Sequence, residues 1–174
     1  VIRLGRGAWK GRVLRPSFDL RPTSSVVREA VLSMLGPGRL GGAVVWDLCC
    51  GSGAVGLECM SCGASRAVFV DSDRRAVSFV RKSADELGAG GSCTAILGDV
   101  SRLEIDRLPA PGVVFVDPPY GCAPVYSWAQ SIDWLRVLSA GGAVFVEAGG
   151  GDDMPRPAWQ SRRYGGTWLF WQER

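Results

Sequence analysis

The sequence contains no histidine. That removes His general bases, His metal ligands and both Ser–His and Cys–His nucleophile pairs. Any chemistry falls to carboxylates, backbone groups or a cofactor. No apolar stretch approaches the roughly 20 residues that a membrane-spanning helix needs. The six cysteines (Cys49, Cys50, Cys59, Cys62, Cys93 and Cys122) follow no framework spacing. In a chain of this size they read as reduced thiols in a reducing compartment. Cys59 and Cys62 form a lone C-x-x-C with no second pair, so a zinc site there lacks ligands. The pair reads as two half-buried side chains on one helix face. The first fifteen residues carry charge where a signal peptide has an apolar core, and the chain starts at Val1, as a processed or trimmed product would. The expectation is a cytoplasmic protein.

What is present is an ordinary globular composition, 47% apolar and 21% charged over 174 residues. It predicts a single domain spanning 1–174 with enough chain to bury a core. The net charge of +3 is unevenly spread. Residues 1–28 hold Arg3, Arg6, Lys10, Arg12, Arg15, Arg21 and Arg28 against Asp19 alone, which leaves the remainder net acidic. A basic N-terminal extension over 1–22 on an acidic body is the footprint of a polyanionic partner. It is equally the look of a solvated terminus when no other feature points to nucleic acid. Arginine outnumbers lysine heavily, and arginine can fork onto phosphate and stack on bases.

Helical periodicity predicts a helix over 24–35, capped by Thr23 or Ser24 and ended by the Gly36-Pro37-Gly38 and Gly41-Gly42 breaks. Strands are then expected at 43–47, 67–71, 93–97, 112–117 and 143–148. Helices fall at 54–61, 74–87 and within 124–138. The strands lack in–out alternation, so both faces are covered. Repeated units of this kind make a mainly parallel sheet with helices on each side. Residues 160–163 and 167–172 flank Gly165-Gly166 and read as a hairpin adding an antiparallel edge.

In such sheets a ligand sits outside the carboxyl ends of the strands. Asp47, Asp71 and Asp117 end three strands there, and Asp99 follows another by two residues. Between the first strand and its helix, Gly51, Gly53 and Gly56 match G-x-G-x-x-G, with Asp71 placed twenty residues on to hold ribose hydroxyls. The spacing fits an NAD-type dinucleotide or S-adenosyl-L-methionine, and a bare tight turn remains the bland alternative. Asp47 favours the second ligand. A carboxylate at the loop's mouth suits ammonium and sulfonium charges better than a pyrophosphate. Asp99 can accept from an adenine amino group.

The stretch VVFVDPPY (113–120) adds Asp117-Pro118-Pro119-Tyr120 at the end of the fourth strand. Behind the D-x-x-x-G-x-G loop it resembles the amino-methyltransferases that use S-adenosyl-L-methionine. With IRLGRGAWKGRVL, LRPTSSVVREAVLSML, DLCCGSGAVGLE and VFVDSDRRA, the chain resembles bacterial 16S ribosomal RNA guanine-N2 methyltransferases over almost its whole length. Arg6 stands where that family usually has a second glycine. Cys49-Cys50 stand where it tends to have an aromatic or apolar residue and alanine.

The resemblance implies a class I S-adenosylmethionine methyltransferase fold: an α/β, Rossmann-like, mostly parallel seven-stranded sheet with helices on both faces and a C-terminal antiparallel hairpin. It also implies methylation of a guanine N2 amine in small-subunit ribosomal RNA, and a small enzyme docking on so large a particle is expected to be a monomer. Asp117 and the Pro118 carbonyl would accept from the two amine protons, and Tyr120 would stack on the base. Asp47, Gly51, Gly53, Asp71, Asp99, Thr23 and Arg28 would line the cofactor site. Arg3, Arg6, Lys10 and Arg12 would contact RNA, while Trp9 would stack on an unpaired base or pack the arm on the body. Adenine-N6 methylation of DNA or RNA is the alternative within the same chemistry. A dinucleotide-dependent oxidoreductase is the alternative outside it.

Overall fold

Runs of valine, phenylalanine and tryptophan bounded by glycine or aspartate set the strands, because β-branched and aromatic side chains pack well on a pleated surface. A computed structural model describes residues 1–16, 25–151, 153–154 and 158–174. In chain order its main elements are β1 (Ile2–Arg3), β2 (Val13–Leu14), α1 (Ser25–Leu40), β3 (Val44–Leu48), α2 (Ala54–Ser61), β4 (Arg66–Asp71) and α3 (Arg74–Glu86). There follow β5 (Cys93–Leu97), β6 (Val113–Val116), α4 (Ala123–Ser131), α5 (Trp134–Val137), β7 (Ala143–Ala148), β8 (Gln160–Tyr164) and β9 (Thr167–Glu173). Among the described residues, no helix is long and apolar enough to cross a membrane.

Seven strands form one sheet in the order β5-β4-β3-β6-β7-β9-β8. The strands from β3 to β7 run parallel, while β9 is antiparallel to both β7 and β8. Both faces are covered, as the unbroken apolar runs require. Trp46, Leu48, Val114, Val116, Val144 and Val146 pack with α4 and α5 on one face. Val45, Val113, Phe115 and Phe145 pack with α1 and α2 on the other. The chain leaves β3 toward β4 and β5, then returns to β6 on β3's opposite side. This reversal opens a crevice at the carboxyl ends of β3 and β6.

Three local departures have physical reasons. Gly36 (φ 62°, ψ 171°) interrupts α1 as its sequence predicts, yet a helical turn resumes beyond it to Leu40, whose side chain is buried. The helical region within 124–138 divides in two, with Ile132 extended between the halves. The N-terminal arm is folded: β1 pairs with β2, and Ile2, Leu4 and Leu14 are buried against Leu57, Phe69, Val77 and Val80. Polar contacts from α2 complete this docking. Glu58 accepts from the Gly5 N–H at 2.6 Å. Ser61 Oγ accepts from the Trp9 N–H at 2.8 Å and donates to the Arg6 carbonyl at 2.7 Å.

Candidate active site

A cavity of about 480 Å³ lies in the crevice, within the range of roughly 300–1,000 Å³ usual for small-molecule sites. Four loops build it: Cys49–Ser52 after β3, Asp71–Asp73 after β4, Gly98–Val100 after β5, and Asp117–Pro119 with Cys122 and Val125 after β6. Of the residues expected from sequence, Gly51, Asp71, Asp99, Asp117 and Pro118 meet on this wall. They lie up to 67 positions apart in the chain and are brought together by the parallel register.

Asp71 organises the loop. Its Oδ2 accepts from the Gly51 N–H at 2.7 Å and its Oδ1 from the Asp73 N–H at 2.8 Å. Asp99 Oδ1 accepts from the Ser101 N–H and hydroxyl at 2.9 and 2.7 Å. Those two bonds, hydroxyl first, hold its carboxyl below the ordinary range, so it stands ionised at the rim. The next residue, Val100, contributes apolar wall. The Asp117 N–H bonds the Leu48 carbonyl at 3.1 Å, extending the β3–β6 pairing to the carboxylate itself. Cys49 takes a left-handed backbone (φ 58°), a conformation costing roughly 1 kcal/mol for a residue with a Cβ.

Four expectations need correction. Asp47 is not at the loop's mouth but beneath it, 2% exposed, its Oδ2 accepting from the Gly56 N–H at 2.8 Å. Its side chain points to the α2 face of the sheet, and alternation along β3 dictates that direction. Gly53 also lies off the cavity wall. It opens α2 with φ 68°, where a Cβ would sit 2.8 Å from Val80 Cγ2. Gly56 is tighter still, its missing Cβ 2.4 Å from the Phe69 ring. These two glycines therefore serve helix–sheet packing.

Arg28, expected at the pocket, instead meets Glu58 at 2.7 Å and donates to the Arg3 carbonyl at 3.2 Å. Tyr120 follows the wall residue Pro119 and is 42% exposed. Of the Cys59–Cys62 pair, Cys59 is fully buried and only Cys62 is half-buried. The described residues hold no cluster of three or more metal-ligating side chains. Trp9 packs half-buried beside the N-terminal cluster, so of its two expected roles the structure displays packing. Thr23 lies outside the described residues.

The wall's chemistry discriminates between ligands. Asp71, Asp73, Asp99 and Asp117 supply acceptors, and no arginine or lysine is among the lining residues described. A pyrophosphate would meet carboxylates with no cation to offset them. A ligand bearing ammonium, sulfonium, hydroxyl and amino groups meets what it needs. This set of acceptors fits S-adenosyl-L-methionine.

Burial pushes the Asp47 carboxyl up to about 8, against the Gly56 N–H, which lowers it; the nearby Asp117 and Asp71 raise it further. A carboxyl raised on folding supports the fold fully at pH values below its unfolded value near 4. That support is lost as pH rises through about 8. Asp47→Asn removes the titration and keeps an acceptor for Gly56. Thermal unfolding of the ligand-free protein should show wild type losing ground to Asp47→Asn between pH 4 and 8, by up to about 1.4 kcal/mol per pH unit. Parallel stability curves would contradict this account.

The strand order with antiparallel β9, the glycine turn and the acceptor-lined crevice define the class I fold of S-adenosyl-L-methionine-dependent methyltransferases. More narrowly, the chain belongs to the family described as conserved hypothetical protein 95, whose model matches residues 2–169. It is 30% identical over 151 residues to the Bacillus subtilis protein named "Putative rRNA methyltransferase YlbH", covering 84% of this chain and 82% of that protein. It is 36% identical over 121 residues to "Ribosomal RNA small subunit methyltransferase D" of Escherichia coli K12, covering 68% of this chain and 60% of that one. Among solved structures, the Escherichia coli "Putative methyltransferase yhhF" superposes with a TM-score of 0.79 at 26% identity, covering 99% and 97% of the two chains. An RNA methyltransferase from Salinibacter ruber, solved in complex with S-adenosyl-L-homocysteine, shares the fold with a TM-score of 0.62 at 20% identity, covering 87% and 92%.

Proposed function

We propose that this protein transfers a methyl group from S-adenosyl-L-methionine to the exocyclic N2 amine of a guanine in small-subunit ribosomal RNA. One observation carries the reading: the Asp117-Pro118-Pro119 turn lines the acceptor-rich cavity at the sheet's switch point, and the partly exposed Tyr120 follows it directly in the chain. The names of both relatives support ribosomal RNA as the substrate class, and that of the Escherichia coli relative supports the small subunit.

The amine of an aromatic base is a poor nucleophile because its lone pair is delocalised into the ring. Acceptors on both protons draw the nitrogen toward a tetrahedral shape and free that pair. Asp117 brings a carboxylate, and the Pro118 carbonyl is the second acceptor. Two consecutive prolines fix φ and remove competing N–H groups, so the turn holds its acceptors rigidly. When bound, the cofactor supplies a methyl activated by its sulfonium. The chain's own part is orientation and local electrostatics. Asp71 shapes the glycine loop for the cofactor, and Asp99 with Val100 offers an acceptor beside an apolar surface for its adenine.

Charge supports a nucleic-acid substrate. Arg3, Arg6, Lys10 and Arg12 are exposed on the docked hairpin. A groove between β2 and α3, lined by Arg15, Arg74, Arg75 and Lys82 with Glu86 the single acidic group among its described lining residues, adds to that basic surface. Such residues position a phosphate backbone. The proposal extends to one domain over residues 1–174, acting as a monomer in the cytoplasm.

The test is incubation of the protein with labelled cofactor and small ribosomal subunits lacking the modification, followed by nucleoside analysis. N2-methylguanosine is expected. N6-methyladenosine would replace the proposal with the adenine reading, and tighter calorimetric binding of NAD than of S-adenosyl-L-methionine would replace it with the oxidoreductase one.

A further inference from the structure

We infer that the C-terminal hairpin is a working part of the target-base site, with Thr167 and Gly149 as positioning residues for the Tyr120 ring. The inference rests on the function proposed above. Tyr120 follows two prolines and precedes Gly121, whose φ of 75° turns the chain, so it stands outside any helix or strand. Its ring is nevertheless anchored. The Tyr120 hydroxyl lies 2.6 Å from Thr167 Oγ1, 47 residues away on the first position of β9. Thr167 is itself buried, at 8% exposure, which sets its hydroxyl firmly.

Gly149, directly after β7, supplies the seat. A Cβ there would lie 2.7 Å from Tyr120 Cγ and 2.9 Å from Cδ2, so only glycine lets the ring settle against the strand end. The remaining 42% of Tyr120 stays open to solvent beside the Asp117 turn. Seat, tether and open surface together make a prepositioned platform for a base. β9 pairs antiparallel with β7, placing its first residues beside the end of β7, and this connects the edge of the sheet to the site.

A platform fixed before binding spares the cost of ordering a side chain on binding, and it sets the amine's angle to the methyl donor, on which an in-line transfer depends. Thr167→Val, of similar shape but without the hydroxyl, should lower kcat/KM for ribosomal RNA about tenfold. Its cofactor affinity should stay within twofold and its melting temperature close to wild type. Thr167→Ser should recover most of the loss. Tyr120→Phe removes the same hydrogen bond from the other side, so the double variant should be no worse than either single one. Strictly additive losses, or a Thr167→Val enzyme as fast as wild type, would overturn the inference while leaving the function intact. A wild-type protein that makes no N2-methylguanosine would sink both.

Discussion

Asp117→Ala should lower the rate of methyl transfer by about a thousandfold, equivalent to roughly 4 kcal/mol of transition-state stabilisation, while S-adenosyl-L-methionine affinity stays within a few-fold. The expectation follows from the position of the carboxylate. Asp117 is bonded through its N–H to the end of β3 and followed by two prolines, so its side chain is delivered to the cavity by rigid backbone. Without it the amine keeps one acceptor, the Pro118 carbonyl, and its lone pair stays in the ring. Asp117→Asn retains an acceptor oxygen without the charge and should fall between wild type and alanine. Single-turnover rates with saturating cofactor, set beside calorimetric cofactor affinity, separate chemistry from binding. An alanine variant within tenfold of wild type would show that the turn merely closes the cavity. Loss of cofactor binding in parallel with rate would place Asp117 on the cofactor instead of the amine.

Much of this site is legible in the sequence because its determinants are local. Strands at 93–97 and 143–148 and the helix at 54–61 match the structure residue for residue, since glycine or a polar turn stands at most of their ends. The aspartates at strand ends converge because a parallel sheet places all carboxyl ends on one side. Harder to read is how far each strand runs past its neighbour. Asp47 and Asp71 occupy like positions at the ends of neighbouring strands, yet Asp47 is buried under the loop while Asp71 reaches the cavity. Pairing of Asp47 with Phe69 and of Asp71 with Leu97 shows that β4 runs two residues further past that level.

Long-range partners leave no local signal at all. Thr167 is an ordinary strand residue until the fold brings it to Tyr120. The β1–β2 pairing rests on strands of two residues each, too short for any alternation to register. Arg28 shows the same limit from the other direction. The family resemblance assigns Arg28 to the cofactor site, and only the fold reveals Glu58 across from it.

That buried pair gives the largest expected effect on stability. Glu58→Ala should destabilise the protein by about 3–5 kcal/mol, the usual cost of stranding one partner of a buried ion pair, or about 10 °C in melting temperature for a chain of this length. Glu58 sits within a helix whose neighbours Val55, Leu57 and Cys59 are buried, and is itself 2% exposed. Its two oxygens have separate tasks. Oε1 accepts from Gly5 at 2.6 Å, and Oε2 faces Arg28 Nε at 2.7 Å. Arg28 in turn holds the Arg3 carbonyl, so the pair fastens the end of β1 and the turn just after it to α1 and α2.

Alanine leaves a guanidinium at 8% exposure without its counter-ion and an amide N–H without its acceptor, both expensive in a low-dielectric setting. Glu58→Ala combined with Arg28→Met removes the stranded charge and should recover much of the loss, because replacing a buried pair by apolar residues is often nearly neutral. Chemical denaturation of the two variants measures this directly. A single variant less than 1 kcal/mol below wild type would mean that water reaches the pair. A double variant no better than the single one would mean that the Gly5 bond, and not the charge, fastens the hairpin. Because that hairpin carries Arg3, Arg6, Lys10 and Arg12 on its exposed side, its release should also weaken binding to ribosomal RNA at moderate salt while leaving cofactor affinity unchanged.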